Sequence, residues 1–149
     1  MKLAFALLFA LPLFAADTTT ITLSPKSFEG LPRVKAKLKP HHSDGPEAEY
    51  EGVTLSALLV KAGVPSGEAI RGKSLSFVVI AKAADGYQAV YALPELDPAF
   101  SKKIFILADK KNGKPIPAEE GPYRIVVPAE ARQARSVRQV TSLVIRPVE

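Results

Sequence analysis

Residues 33–38 alternate without a break, with Val34, Ala36 and Leu38 on one side and Arg33, Lys35 and Lys37 on the other. A period of two predicts a half-buried strand with a wet cationic face. Residues 18–23 set Ile21 and Leu23 against Thr20 and Thr22, and read as a first strand. Residues 55–62 follow the other period: Leu55, Leu58, Leu59 and Ala62 form one apolar stripe of a helix. Thr54 suits the N-cap, Gly63 the left-handed C′ position, and Pro65 the stop. Residues 75–81 are continuously apolar and short, which predicts a central strand. Ala84-Asp85-Gly86 marks a turn, and residues 87–93 alternate as the return strand of a hairpin. Further strands are expected over 103–108, 123–127 and 137–145, with Asn112-Gly113 as a tight turn. Tyr50-Glu51-Gly52-Val53 is read only as the lead into the helix. About seven strand-length runs against one helix predict a single β-rich α+β domain.

The chain has 149 residues. Residues 1–16 are set apart from the fold. Met1-Lys2 gives a positive start, 3–14 are apolar, Ala15-Ala16 are small, and a polar Asp17-Thr18-Thr19-Thr20 follows. That order is the signature of a cleaved secretory signal peptide, and the apolar run is shorter than the ~20 residues a membrane span needs. The expected mature domain is 17–149, periplasmic or secreted, with no membrane attachment after cleavage, and long enough to bury a core. The chain contains no cysteine, which removes disulfides, thiolate metal sites and cysteine nucleophiles together.

The net charge is +5. Lysines gather at turns and edges (Lys35, Lys37 and Lys39; Lys102, Lys103, Lys110, Lys111 and Lys114), as edge protection would have them. Nucleic acid is not expected as a partner: export argues against it, and basic residues are not interleaved with aromatics. Arginines concentrate late, at Arg124, Arg132, Arg135 and Arg138, on and between the last two strand runs, which read as a strand pair. A guanidinium is always charged and its planar fork matches phosphate and carboxylate. The cluster therefore holds either an anionic ligand or the chain's own acids, Glu119, Glu120, Asp85 or Asp109. Hydrolytic signatures, phosphate loops and dinucleotide fingerprints are missing. His41, His42, Asp44 and Glu47 are a poor metal set, because adjacent residues of an extended chain point to opposite sides. Glu119-Glu120 reads as a solvated acidic pair. No catalytic residue and no metal ligand is assigned.

Several segments carry a resemblance. Tyr50-Glu51-Gly52-Val53-Thr54-Leu55-Ser56-Ala57-Leu58-Leu59 resembles the Y/W-x-G-V-x-L-x-x-L-L segment of the oxidoreductase molybdopterin-binding domain, the sulfite-oxidase-like family. Ala62-Gly63-Val64 continues it, and Asp85-Gly86-Tyr87 resembles the family's DGY turn. Leu107-Ala108 with Asn112-Gly113-Lys114-Pro115-Ile116 is similar to its LA…NGxPL segment. Residues 121–128 resemble GxPxRxVVP, and Ala134-Arg135-Ser136-Val137-Arg138 resembles AR-x-VK. Order and spacing agree over 50–145.

The resemblance implies a sulfite-oxidase-like fold with one main helix. It implies molybdopterin as the candidate cofactor, its phosphate and ring edges held by Arg135 and Arg138, with Arg124 matching the arginine of GxPxR. It also implies a departure: catalytic members bind molybdenum through a cysteine thiolate ahead of the G-V-x-L segment, where this chain is short and carries Lys39-Pro40-His41-His42. Three readings follow. The chain is an exported binding or accessory module that holds an anionic small molecule or pterin on Arg124, Arg135 and Arg138. Alternatively, it is a molybdopterin-dependent subunit with a non-cysteine metal ligand that works beside a periplasmic redox partner. The last alternative is a structural or interaction domain whose arginines pair internally.

Overall fold

In the computed structural model, which describes residues 18–40 and 44–148, two antiparallel sheets share one core. The signal-peptide reading of 1–16 and the loop reading of His41 and His42 lie outside the described residues. Among the described residues the strands are β1 (Thr19–Thr22), β2 (Val34–Leu38), β3 (Ala48–Thr54), β4 (Phe77–Ala83), β5 (Gln88–Ala92), β6 (Ile106–Lys111), β7 (Lys114–Pro115), β8 (Arg124–Val126) and β9 (Val140–Pro147). The one α-helix among the described residues is α1 (Leu55–Lys61).

The first sheet has the order β1-β9-β4-β5. Its β4–β5 hairpin turns at Ala84-Asp85-Gly86, where Asp85 accepts the Tyr87 N–H at 2.9 Å. In the second sheet β2, β3 and β6 pair in that order, and the far edge of β6 is divided between β8 (Leu107 opposite Ile125) and β7 (Lys111 opposite Lys114). The main core lies between the sheets and includes Val53, Val79, Tyr91, Leu107, Ile125 and Leu143, with Leu55, Leu58 and Leu59 of α1. A smaller cluster of Leu38, Tyr50, Ile106, Ala108, Ile116 and Val126 covers the other face of the second sheet. The strands β6 and β8 are therefore buried on both faces, which is why their sequences run apolar without alternation.

The helix is capped as its sequence predicts. The Thr54 hydroxyl accepts the Ala57 N–H at 3.1 Å. At the other end Gly63 has φ +83°, the Val64 N–H reaches the Leu59 carbonyl, and the Gly63 N–H reaches the Val60 carbonyl. This is a Schellman closure.

Three expectations are corrected. Residues 48–54 form an interior strand, not merely the lead into α1. Ala48 and Tyr50 face the smaller cluster while Glu49 and Glu51 point away, an alternation present in the sequence. The two late strands do not form one pair: β8 belongs to the second sheet and β9 to the first. Finally, β9 begins at Val140 rather than Val137. Residues 137–139 form a turn in which Gln139 is left-handed, φ +51°. A non-glycine residue needs support there. Gln139 has it, donating its N–H to the Glu120 carbonyl (2.7 Å) and its side-chain amide to the Ala118 carbonyl (2.9 Å).

Candidate functional site

The turn at 137–139 decides where Arg138 goes. Because Gln139 is tied to the 118–120 loop, Arg138 is held off both strands and is exposed. It lines two cavities. One, of about 220 Å³, also includes Asp85, Tyr87, Gln133 and Arg124. The other, of about 240 Å³, includes Lys39, Lys111, Tyr50, Glu120, Gln133 and Arg124. Arg124, Gln133 and Arg138 are common to both. Arg138 makes no ion pair with a described residue.

Arg124 differs from it in burial and in partners. Its side chain is 5 % exposed and enters from the first residue of β8. One terminal nitrogen donates to the Tyr50 hydroxyl (2.8 Å) and to Glu120 Oε2 (2.9 Å). The other donates to the Gln133 side-chain carbonyl at 3.3 Å, and the guanidinium lies 5.3 Å from the centre of the Tyr50 ring. Glu120 is the hub of this group. It also accepts from the Tyr50 hydroxyl (2.7 Å) and from Lys111 Nζ (2.5 Å). Burial alone would raise the Glu120 carboxyl, but the hydrogen bonds from Lys111 and Tyr50, with the charge of Arg124, outweigh it and bring it down to about 2. The same contact holds the Lys111 ammonium above its ordinary range, against the opposing effect of burial. The Tyr50 phenol is pushed up by burial first and by its bond to Glu120 second. The acidic pair read as solvated is thus half so: Glu119 is exposed, while Glu120 is nearly enclosed with its side chain 13 % exposed.

Arg135 is placed elsewhere. It pairs with Glu95 (2.7 Å) and Glu130 (3.0 Å), donates to the Val90 carbonyl (3.0 Å) and lies 4.9 Å from the Tyr91 ring centre. Its own carbonyl accepts from the Tyr91 hydroxyl. Burial pushes the Tyr91 phenol well up. Arg135 thereby ties the 133–135 turn to the β5 edge, and it lines neither cavity. Tyr87 pins the same segment by donating to the Ala134 carbonyl at 2.6 Å. Arg132 is exposed. The late arginines therefore do not act as one set: Arg124 and Arg138 meet at the cavities, and Arg135 faces the other way.

Lys111, Gln133 and Tyr50 belong to the site, although spacing did not single them out. Lys111 sits among lysines that look like edge protection, and its partner is created only when the 117–121 loop folds back. Gln133 reaches both Arg124 and the Lys39 carbonyl, contacts between residues far apart in sequence. Among the described residues there is no group of three or more His, Asp or Glu able to hold a metal ion. No helix among them is long and apolar enough to cross a membrane.

The arrangement offers an exposed guanidinium backed by a second, buried one, with an amide and a lysine alongside. That donor set suits an oxyanion. The family model described as the oxidoreductase molybdopterin binding domain matches residues 26–149. No curated protein gives a significant match to the chain.

Proposed function

The chain belongs to the oxidoreductase molybdopterin binding domain family, and from that premise we propose that it is an exported binding or accessory module that holds an anionic group at the Arg138 cavities. The observation that carries this reading is the contrast between the arginines. Arg124 and Arg135 have carboxylate partners, whereas Arg138 lines both cavities without an ion pair to a described residue. A buried structural arginine is normally paired, so the unpaired one beside a cavity is the one available to a ligand.

The donors suit part of a molybdopterin. Arg138 would take the phosphate, with Lys39 to share its charge. The Gln133 amide and the Asp85 carboxylate, which line the same cavity as Arg138, are of the right type for the polar edge of a pterin ring. Tyr87 supplies an aromatic wall. When bound, such a cofactor would bring redox chemistry at its metal. The chain's own part is to bind and orient, since it has no cysteine to supply a thiolate. Arg124 holds Gln133 in place from below, and Glu120 fixes Arg124. Arg135 would serve as a brace for the 133–135 turn. The two-sheet, one-helix architecture would be a reduced sulfite-oxidase-like fold, and residues 1–16 the signal that directs export.

The paired arginines favour a second reading, an interaction domain with no ligand. Content analysis of protein purified from the exported fraction of a cofactor-making host separates these readings. The accessory reading predicts a pterin fluorescence signal, after oxidation, without stoichiometric molybdenum. Stoichiometric molybdenum would overturn it in favour of a redox subunit with a non-cysteine ligand.

A further inference from the structure

A third cavity, of about 490 Å³, shares no residue with the arginine site. It runs between the start of α1 and the 97–105 segment that leads into β6. Its floor is the buried Leu96 and Phe105, Ala57 lines the helix side, and Lys102, Lys103 and Ile104 line the other. The volume falls in the range of small-molecule sites, which are mostly apolar with a few polar groups that fix orientation. Two large apolar side chains on this segment stay half exposed, Phe100 at 50 % and Ile104 at 51 %. Two ammonium groups sit beside them without an ion pair to a described carboxylate. The nearest acid in the segment, Asp97, is buried and already accepts from the N–H groups of Gly67 and Ala99, both at 2.9 Å.

We infer that this groove binds a free single-chain anionic amphiphile, its alkyl body on Leu96, Ala57, Ile104 and Phe105 and its carboxylate at Lys102 and Lys103. A hydrocarbon chain would cover apolar surface that water now covers, and each buried methylene contributes. The charge pairing sets direction: the head lies at the lysines and the tail toward α1. A neutral chain of equal length lacks that anchor, and a short anion lacks the body.

Calorimetric titration of the mature protein with sodium decanoate, kept below its micelle concentration and at low salt, tests this. The expected result is saturable one-to-one binding, weaker by about tenfold for octanoate through the loss of two methylenes, and absent for acetate. The double variant Lys102→Gln/Lys103→Gln changes only exposed side chains, and it should weaken decanoate about tenfold and remove the salt dependence. Ala57→Trp should block the groove and abolish binding. Absence of saturable binding overturns the inference. So does affinity unchanged in either folded variant, which would indicate non-specific association. Binding to phosphatidylglycerol vesicles without binding to monomeric decanoate would also overturn it, by pointing to a membrane surface instead.

Discussion

Glu120 decides how many of this protein's basic groups are free. Its carboxylate accepts from Tyr50 of β3 and Lys111 of β6 and pairs with Arg124 of β8. Breaking such a pair leaves an enclosed guanidinium with nothing to neutralise it. We expect Glu120→Gln to cost about 3 kcal/mol of unfolding free energy in urea titrations at neutral pH. The pH dependence has a definite sign. A carboxyl held below its unfolded value of 4.5, down to about 2, stabilises the fold while it is ionised in both states. That contribution is complete above about pH 5 and fades as pH falls through the window from 4.5 to 2. The stability gap between wild type and Glu120→Gln should therefore narrow across this window, and a gap unchanged at pH 3 would count against the assignment. Glu120 was among the acids the sequence offered the arginines, and it does pair with Arg124, but its enclosure and its contacts with Lys111 and Tyr50 were not legible. Paired acids beside Gly121-Pro122 look like any solvated loop, and only the return of residues 117–121 over β6 places Glu120 beside Lys111.

Among the elements, those governed by local rules were the legible ones. The helix α1 carries its stripe, its Thr54 cap and its Gly63 closure within a few residues, so pattern alone identified it. Thr54→Ala should cost about 1 kcal/mol, the usual effect of losing an N-cap acceptor, measurable by urea unfolding. The hairpin turns at Asp85-Gly86 and Asn112-Gly113 were legible for the same reason. The strand β3 was not, because its acidic alternation was overshadowed by the helix that follows. Its register also depends on a contact no local rule predicts. The chain irregularity between Glu51 and Gly52 brings Gly52 against β6, where an added Cβ would lie 1.8 Å from the Leu107 carbonyl oxygen. Backbone cannot yield there as a side-chain tip would. Gly52→Ala should therefore destabilise by more than about 3 kcal/mol, seen as loss of the cooperative thermal transition or a large fall in its midpoint. A near-neutral effect would mean that β3 can shift relative to β6.

For the whole molecule, the late segment is one of the connections that pass between the two sheets. Its first strand, β8, completes the second sheet, and its last, β9, sits inside the first. The turns between them carry Gln133, Arg135 and Arg138 across the gap. The sequence made the β-rich class and the late arginine cluster visible, and the family followed from its segments. It did not reveal that the cluster divides, because partner choice depends on which sheet each strand joins. Arg124 turns inward to Glu120, Arg135 braces the β5 edge through Glu95 and Glu130, and Arg138 is left at the cavities. The claim that Arg138 is the ligand-facing guanidinium is tested most directly by thermal unfolding with and without inorganic phosphate, for wild type, Arg138→Ala and Arg135→Ala. A ligand at ten times its Kd adds about 1.4 kcal/mol, or about 5 °C for a domain of this size. Wild type should show that shift. Arg135→Ala should start from a lower midpoint and keep the shift, while Arg138→Ala should start near the wild-type midpoint and lose it. A full phosphate shift retained in Arg138→Ala, or none in wild type, would contradict the account.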